Sequence, residues 1–268
     1  MTLRILGSGA AEGIPAFAGG TRVSDYALQH GGKDVRTRSG ALMDGHIKID
    51  LPPDTVPQLQ RDRLTAASWS ALLFTHSDDD HFCPSELQYG LWPFCDRENL
   101  GFTIFANQAI CDTITGRYPQ WPMDIVLTRS FESFSICDYR VTPIRANHKI
   151  EEDSHNFIFE QNGRRLLYAT DTGYWMEETW DFLKGADLHG LVLECTEGFV
   201  PTPYTGHIDA NQFLEMIGRM REIGALADGA VITTTHHSHN GNATHAELEA
   251  FFVPHGIEVG FDGKEISV

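Results

Sequence analysis

An apolar run that stops at a cluster of metal-ligating side chains constrains this chain more than any other stretch. Leu72-Leu73-Phe74-Thr75 leads directly into His76-Ser77-Asp78-Asp79-Asp80-His81, five side chains able to ligate a metal within six residues. The short continuous apolar run from Ala71 to Thr75 reads as a strand buried on both faces. Past the turn, Pro84-Ser85-Glu86-Leu87 carries a proline and an acid where they suit the first turn of a helix, which predicts a short helix over Glu86 to Trp92 ended by Pro93. His76, Asp78, Asp80 and His81 then sit on one loop between two rigid elements. Imidazole suits Zn, Fe and Ni while carboxylate suits Mn and Mg, so this mixture points to a hydrolytic transition-metal site. An ordinary helix cap needs one acid, and this turn carries three acids and two imidazoles.

The rest of the chain supplies strands that end in the same kind of residue. Leu3 to Leu6 predicts a strand, and the glycine-rich Gly7 to Gly13 that follows is one position short of a dinucleotide fingerprint and leads into Ile14-Pro15 instead of a helix. It reads as a close backbone turn beside a ligand. Residues 17 to 39 show little periodicity and are expected to form a loop or lid. Ala41 to Met43 and His46 to Asp50 flank an Asp44-Gly45 turn, and Asn156 to Glu160 and Arg164 to Thr170 flank Asn162-Gly163. Both patterns predict hairpins. Phe102 to Phe105, Phe131 to Ile136, Tyr139 to Ile144, Gly190 to Cys195 and Gly229 to Thr233 are further strands, and Gln108 to Tyr118 is a helix. Phe213, Met216, Ile217 and Met220 share one face of another helix. Thr244-His245-Ala246-Glu247 is a capping box opening a last helix, and Phe261-Asp262-Gly263-Lys264 is expected to turn a final hairpin.

In this reading the segment from His76 to His81, together with His148, Asp171, His207 and His236, falls at or just beyond predicted strand ends. Five separated segments therefore converge on one edge of a sheet system. His237 is expected to point away from its neighbours His236 and His239, because side chains alternate along extended backbone. The histidines at 30, 46, 155, 189, 245 and 255 lack this placement and read as surface or capping residues.

Composition excludes some functions. Lys plus Arg total 20 against 37 Asp plus Glu, a net charge of −17, which disfavours a protein that tracks a polyanion by neutralising phosphates. The five cysteines, without C-x-x-C spacing, argue against a disulfide framework and a cysteine zinc site, and fit a reducing compartment. The N-terminus has no long apolar segment and no run approaches twenty apolar residues, so a cytoplasmic protein with no membrane contact is expected.

These residues resemble the metallo-β-lactamase superfamily, whose signature is H-x-H-x-D-H followed by a distant His, a bridging Asp and a last His. His76, Asp80 and His81 fall on the first, third and fourth ligands of that signature, His148 on the distant His, Asp171 on the bridging Asp and His236 on the last His. Within the superfamily the chain is most similar to the PhnP-like phosphodiesterases, which hydrolyse phosphoribosyl 1,2-cyclic phosphate. That likeness is carried by Gly9 to Ala16, Thr234 to His239 and Gly256 to Ile266. Two features depart from the pattern: Asp78 stands where the signature has its second His, and residues 17 to 39 hold none of the cysteines that bind a structural zinc in those relatives.

The resemblance implies one α/β domain over residues 1–268, a four-layer αββα sandwich with metals at one edge. It implies two divalent transition metal ions per chain, Zn or Mn with Fe and Ni as alternatives, the first held by His76, Asp78 and His148 and the second by Asp80, His81 and His236, with Asp171 between them. The activity implied is phosphodiester hydrolysis of a small cyclic phosphate or nucleotide-like substrate by a metal-bridging hydroxide. His207, with His239 beside it, is expected to protonate the leaving oxygen, and Asp80 joins them in the catalytic set. Lactone or ester hydrolysis uses the same metals and is the first alternative. A tRNA 3′-processing nuclease shares the motif but not the acidic balance. A metal-dependent binding or sensor protein is the non-enzyme alternative, suggested by Asp78. The expected partner is a small phosphodiester, with no nucleic acid, and a homodimer is left open.

Overall fold

The computed structural model describes residues Met1 to Val268. Its first sheet is laid down in chain order by β1 (Thr2–Gly7), β2 (Gly40–Met43), β3 (Ile47–Ile49), β4 (Ala71–Leu73), β5 (Thr103–Ala106) and β6 (Asp124–Leu127). The second takes β7 (Phe134–Ile136), β8 (Tyr139–Arg145), β9 (His155–Gln161), β10 (Arg164–Ala169), β11 (Leu188–Glu194), β12 (Leu226–Thr235) and β13 (Glu258–Val259). The last strand, β14 (Glu265–Ser267), returns to pair with β1. In each sheet antiparallel hairpins give way to parallel strands, β3 to β6 in the first and β10 to β13 in the second. Parallel neighbours need crossovers, and these carry α2 (Thr55–Asp62), α3 (Ser85–Gln88), α4 (Gln108–Arg117), α5 (Glu177–Leu183), α6 (Ala210–Glu222) and α7 (His245–Phe252), after α1 (Arg22–His30) near the N-terminus.

Period-two alternation builds the layers. Ala71 and Leu73 join Leu3, Ile5, Phe157, Phe159, Leu166 and Tyr168 in an apolar layer between the sheets. Leu72 and Phe74 point the other way, into a cluster with Ile110 and Ile114 of α4. On the far side Leu167, Ala169, Leu191 and Leu193 meet Trp180 of α5, Phe252 of α7, and Phe213, Met216, Ile217 and Met220 of α6, all buried. Strands covered on both faces must be apolar on both, so the continuous runs in the sequence mark the middle of a four-layer αββα sandwich.

Several expectations are corrected. Residues 17 to 39 contain α1, capped by Thr21, which accepts from the Ser24 amide at 3.2 Å, and ended by Gly31 at φ 62°. Only Val23 and Ala27 bury apolar surface, in a three-residue cluster with Ile14, so the segment lacks visible periodicity. The helix after the ligand loop is a single turn over Ser85–Gln88. Phe261 to Lys264 does turn, with the Lys264 amide donating to Phe261 at 3.0 Å, but it carries the chain from the second sheet to the first instead of making a hairpin. Asp262 anchors this crossing by accepting from the Ser8 and Thr37 amides at 2.8 and 2.9 Å. Strand β6 and helices α2 and α5 have no counterpart in the sequence reading. His155 and His245 are buried, not surface residues.

Candidate metal centre

The carboxyl ends of β4, β8, β10 and β12 open at the same edge of the sandwich, and each delivers side chains to it, as ligand sites on open α/β sheets generally do. The loop after β4 is held from behind by Asp50, at the end of β3. Its carboxylate accepts from the Thr75 amide at 2.8 Å and from His81 Nδ1 at 2.7 Å. The His81 and Phe82 amides donate to the Asp78 carbonyl at 2.9 and 2.8 Å, curling the loop inward. Asp50, Asp171 and His236 all sit at φ between 48° and 58°. Left-handed backbone in non-glycine residues is strained and is retained where side-chain direction matters.

The second nitrogens of the imidazoles reveal what the first ones face. Thr75 Oγ1 donates to Asp50 at 2.9 Å, so at 3.0 Å from His76 Nδ1 it accepts; Thr196 Oγ1 donates to Glu194 at 2.5 Å, so at 2.8 Å from His236 Nδ1 it also accepts. His81 Nδ1 donates to Asp50, and His148 Nδ1 donates to the Gly206 carbonyl at 3.1 Å. All four imidazoles thus make their outward contact through Nδ1 and turn Nε2 inward. A hydrogen-bonded outer nitrogen with a free inner one is the usual arrangement of a metal-ligating histidine.

The inward atoms fall into two groups sharing one carboxylate. Asp171 Oδ2 lies 2.9 Å from His81 Nε2 and 3.1 Å from His236 Nε2, and Asp80 Oδ2 is 3.2 Å from His81 Nε2. Asp171 Oδ1 faces the other way, 3.9 Å from His76 Nε2 and 3.8 Å from His148 Nε2. Asp78 Oδ2 completes that group at 3.3 and 3.2 Å from the same nitrogens. Donors about 2.1 Å from one cation stand roughly 3 to 3.5 Å apart; the contacts of Asp78, Asp80 and Asp171 Oδ2 match this spacing, and Asp171 Oδ1 stands wider from His76 and His148. His76 Nε2 and Asp171 Oδ2 are buried with no hydrogen-bond partner, which an apolar or neutral filling would leave unsatisfied. The donor set suits cation binding, and the seven ligand candidates His76, Asp78, Asp80, His81, His148, Asp171 and His236 are all here. Asp79, by contrast, is exposed.

Charge agrees with geometry. Burial would raise the Asp171 carboxyl, but His236 and His81 outweigh it and hold it well below the ordinary range. Burial likewise acts against Asp80, and His81 overcomes it. The neighbouring His148 and His76 imidazoles hold the Asp78 carboxyl far below the ordinary range. Three carboxylates therefore stay ionised in a partly buried place, which is stable when cations compensate them.

His207 lies over this centre, its ring 4.9 Å from that of His148 and 5.4 Å from that of His236. Its Nδ1 donates to Glu194 Oε1 at 2.8 Å. Glu194 is fully buried and also accepts from the Thr172 amide at 2.6 Å and from Thr196 Oγ1, so it is spent on donors and orients His207. Burial pushes the His207 imidazole down, yet Glu194, with Asp171 and Glu197 farther off, raises it to about 9. The sequence reading passed over Glu194, a lone acid ending an apolar strand; its position directly after the three buried apolar residues Leu191 to Leu193 was the available signal. His239 stands at the edge. Its Nδ1 is 2.9 Å from Thr21 Oγ1 and its Nε2 is 3.4 Å from Glu12, and it does not line the cavity. His237 turns away, as expected, with Nε2 3.0 Å from Thr234 Oγ1.

Above the ligands opens a cavity of about 330 Å³ walled by Glu12, Glu197, Tyr204, Ser238 and Asn240. Its lining contains no lysine or arginine.

A profile of the beta-lactamase superfamily domain matches residues 47–239. Among solved structures, a diphosphatase from the PhnP family is similar at 20% identity, covering all of this chain and 97% of its own, with a TM-score of 0.76. Zn(2+)-bound PqqB from Methylobacterium extorquens is similar at 19% identity and TM-score 0.76, with both chains fully covered. The short form of human tRNase Z is 17% identical with a TM-score of 0.65, covering 100% of this chain and 99% of its own. Comparison with curated protein sequences gives no match. No helix is long and apolar enough to cross a membrane.

Proposed function

The chain belongs to the beta-lactamase superfamily of metal-dependent hydrolases, and from that premise we propose that it is a binuclear phosphodiesterase acting on a small, cyclic or nucleotide-like phosphodiester. The observation that carries the reading is the division of Asp171, one oxygen to each of two ligand groups, beneath the His207 imidazole that Glu194 orients. A metal pair held there would lower the pKa of water and neutralise phosphoryl oxygens, as in two-metal phosphotransfer sites. His76, Asp78 and His148 would hold one ion, Asp80, His81 and His236 the other, and Zn or Mn suits this donor set.

The chain's own residues do the rest. Asp50, Thr75, Thr196 and the Gly206 carbonyl hold the four imidazoles so that Nε2 faces the metal side. Glu194 holds a proton on His207, which thereby suits a general acid for an alkoxide leaving group. Asp80 and His239 were both expected to act on substrate; we assign Asp80 to metal binding beside His81 and leave His239, at the rim, a supporting part through Glu12. Phosphoryl chemistry among the structural neighbours, a diphosphatase and a tRNase Z, supports the class. The wall of Glu12 and Glu197, without a cation, favours a substrate whose remote part is neutral and hydrogen-bonding over one with further phosphates.

The test is a panel on Zn- and Mn-loaded protein: a 2′,3′-cyclic nucleotide, an alkyl ribosyl phosphodiester, a γ-lactone and a precursor tRNA. Turnover of the phosphodiesters at least tenfold above the lactone and the RNA is expected. A lactone preference would overturn the assignment to phosphorus, and cleavage of the RNA alone would make the chain a nuclease.

A further inference from the structure

Asp78 is the one ligand candidate whose second oxygen is claimed by a cation. Lys149, immediately after His148, brings Nζ to 2.7 Å from Asp78 Oδ1 and 2.8 Å from Ser77 Oγ. The ammonium does not reach that point by chance contact of two mobile side chains. Glu152, 4% exposed, accepts from the Ser77 amide and hydroxyl, both at 2.9 Å, and lies 3.6 Å from Lys149 Nζ. Its other oxygen accepts from Asn107 Nδ2 at 3.1 Å, and Asn107 caps α4. The lysine is therefore fixed to the scaffold through Ser77 and Glu152, and Asp78 is fixed to the lysine.

Two consequences follow for the carboxylate. Oδ1 is occupied, so only Oδ2, at 3.3 and 3.2 Å from His76 and His148 Nε2, remains for a metal. The charge of Asp78 is cancelled within the pair. A neutral group offering one donor atom is what an imidazole supplies, and the superfamily signature has an imidazole at this position.

We propose that Lys149 is a positioning residue of the first ligand group: it holds Asp78 as a one-oxygen ligand and compensates its charge, so that the Asp78–Lys149 pair stands in for a neutral histidine. This rests on the binuclear reading above. The sign of its effect on metal affinity separates it from a merely structural tie. Cutting a structural tie loosens a site, whereas removing an ammonium a few ångströms from a divalent cation relieves repulsion and tightens it.

The experiment measures Zn and Mn dissociation constants for both equivalents by chelator competition on the full chain, with elemental analysis for stoichiometry. The equivalent that responds to Asp78→His is assigned to the first group. Lys149→Met should tighten that equivalent by about tenfold or more, with Mn gaining more than Zn because Oδ1 is freed. Asp78→His alone should weaken it, since the lysine is then uncompensated. The double variant should return to within a few-fold of the parent, and Lys149→Arg should match the parent. If Lys149→Met does not fold, Lys149→Gln is the neutral variant and is expected to shift affinity in the same direction. A neutral or looser first equivalent in the neutral lysine variants, with two metals still bound by the parent, overturns this inference alone. A parent that binds fewer than two metals overturns the binuclear reading itself.

Discussion

Glu194 and His207 form the pair on which the chemistry depends most directly. A general acid matters when the leaving oxygen is basic, so His207→Ala should slow an alkyl or ribosyl phosphodiester by about 10²- to 10⁴-fold. It should slow a bis(nitrophenyl) phosphate far less, with metal content unchanged. Equal losses on both substrates would make His207 a positioning group. Glu194→Gln tests the same pair by pH. With the carboxylate present His207 keeps its proton up to about 9 in the metal-free chain; a neutral amide no longer favours the imidazolium, so the alkaline limb of kcat/KM should move to lower pH. A limb that stays where it was would assign that titration to another group.

At the scale of elements, the seam between α1, α7 and the sheet edge carries an acid-sensitive contact. His245, the first residue of α7, accepts from Arg36 Nη2 at 3.0 Å on Nδ1 and therefore donates from Nε2 to Glu249 at 2.9 Å. Burial, and then the Arg36 charge, lower it to about 4. An unfolded histidine titrates near 6.5, so the unfolded chain takes up the proton first. Stability from this site is complete above about 6.5 and is lost as pH falls toward 4. His245→Gln keeps an acceptor and a donor without the titration. In denaturant melts of chelated protein, it should lose less stability than the parent between pH 7 and 4. Parallel losses would place the acid sensitivity elsewhere.

For the molecule as a whole, the centre joins the two sheets: β4 supplies one side, and β8, β10 and β12 the other. Ions bound between them add stability only to the folded state, by about 4 kcal/mol at a thousandfold excess over Kd. Protein purified without chelator should contain close to two transition metals per chain by elemental analysis. Chelation should lower Tm, and adding back Zn or Mn should restore it. One metal or fewer, with no gain on reconstitution, would eliminate the binuclear arrangement.

What the sequence determined by itself was local. The continuous apolar run from Ala71 to Phe74 requires a strand covered on both faces, the Asp44-Gly45 and Asn162-Gly163 turns require hairpins, and ligands beyond strand ends point to a site at one edge. Each of these follows from geometry within about ten residues of chain. Tertiary structure alone decided the rest, because the partners are remote in sequence. Helix α1 is held by Arg22 to Glu247, the turn at Asp262 crosses between sheets because Ser8 and Thr37 seize it, and Lys149 meets Asp78 across 71 residues. The His207 imidazole is raised chiefly because Glu194 is buried against it, and Asp171 faces two groups because four strand ends surround it. No periodicity encodes such pairings, since a carboxylate's charge state and free oxygens are set by whichever donors the fold brings within about 3 Å.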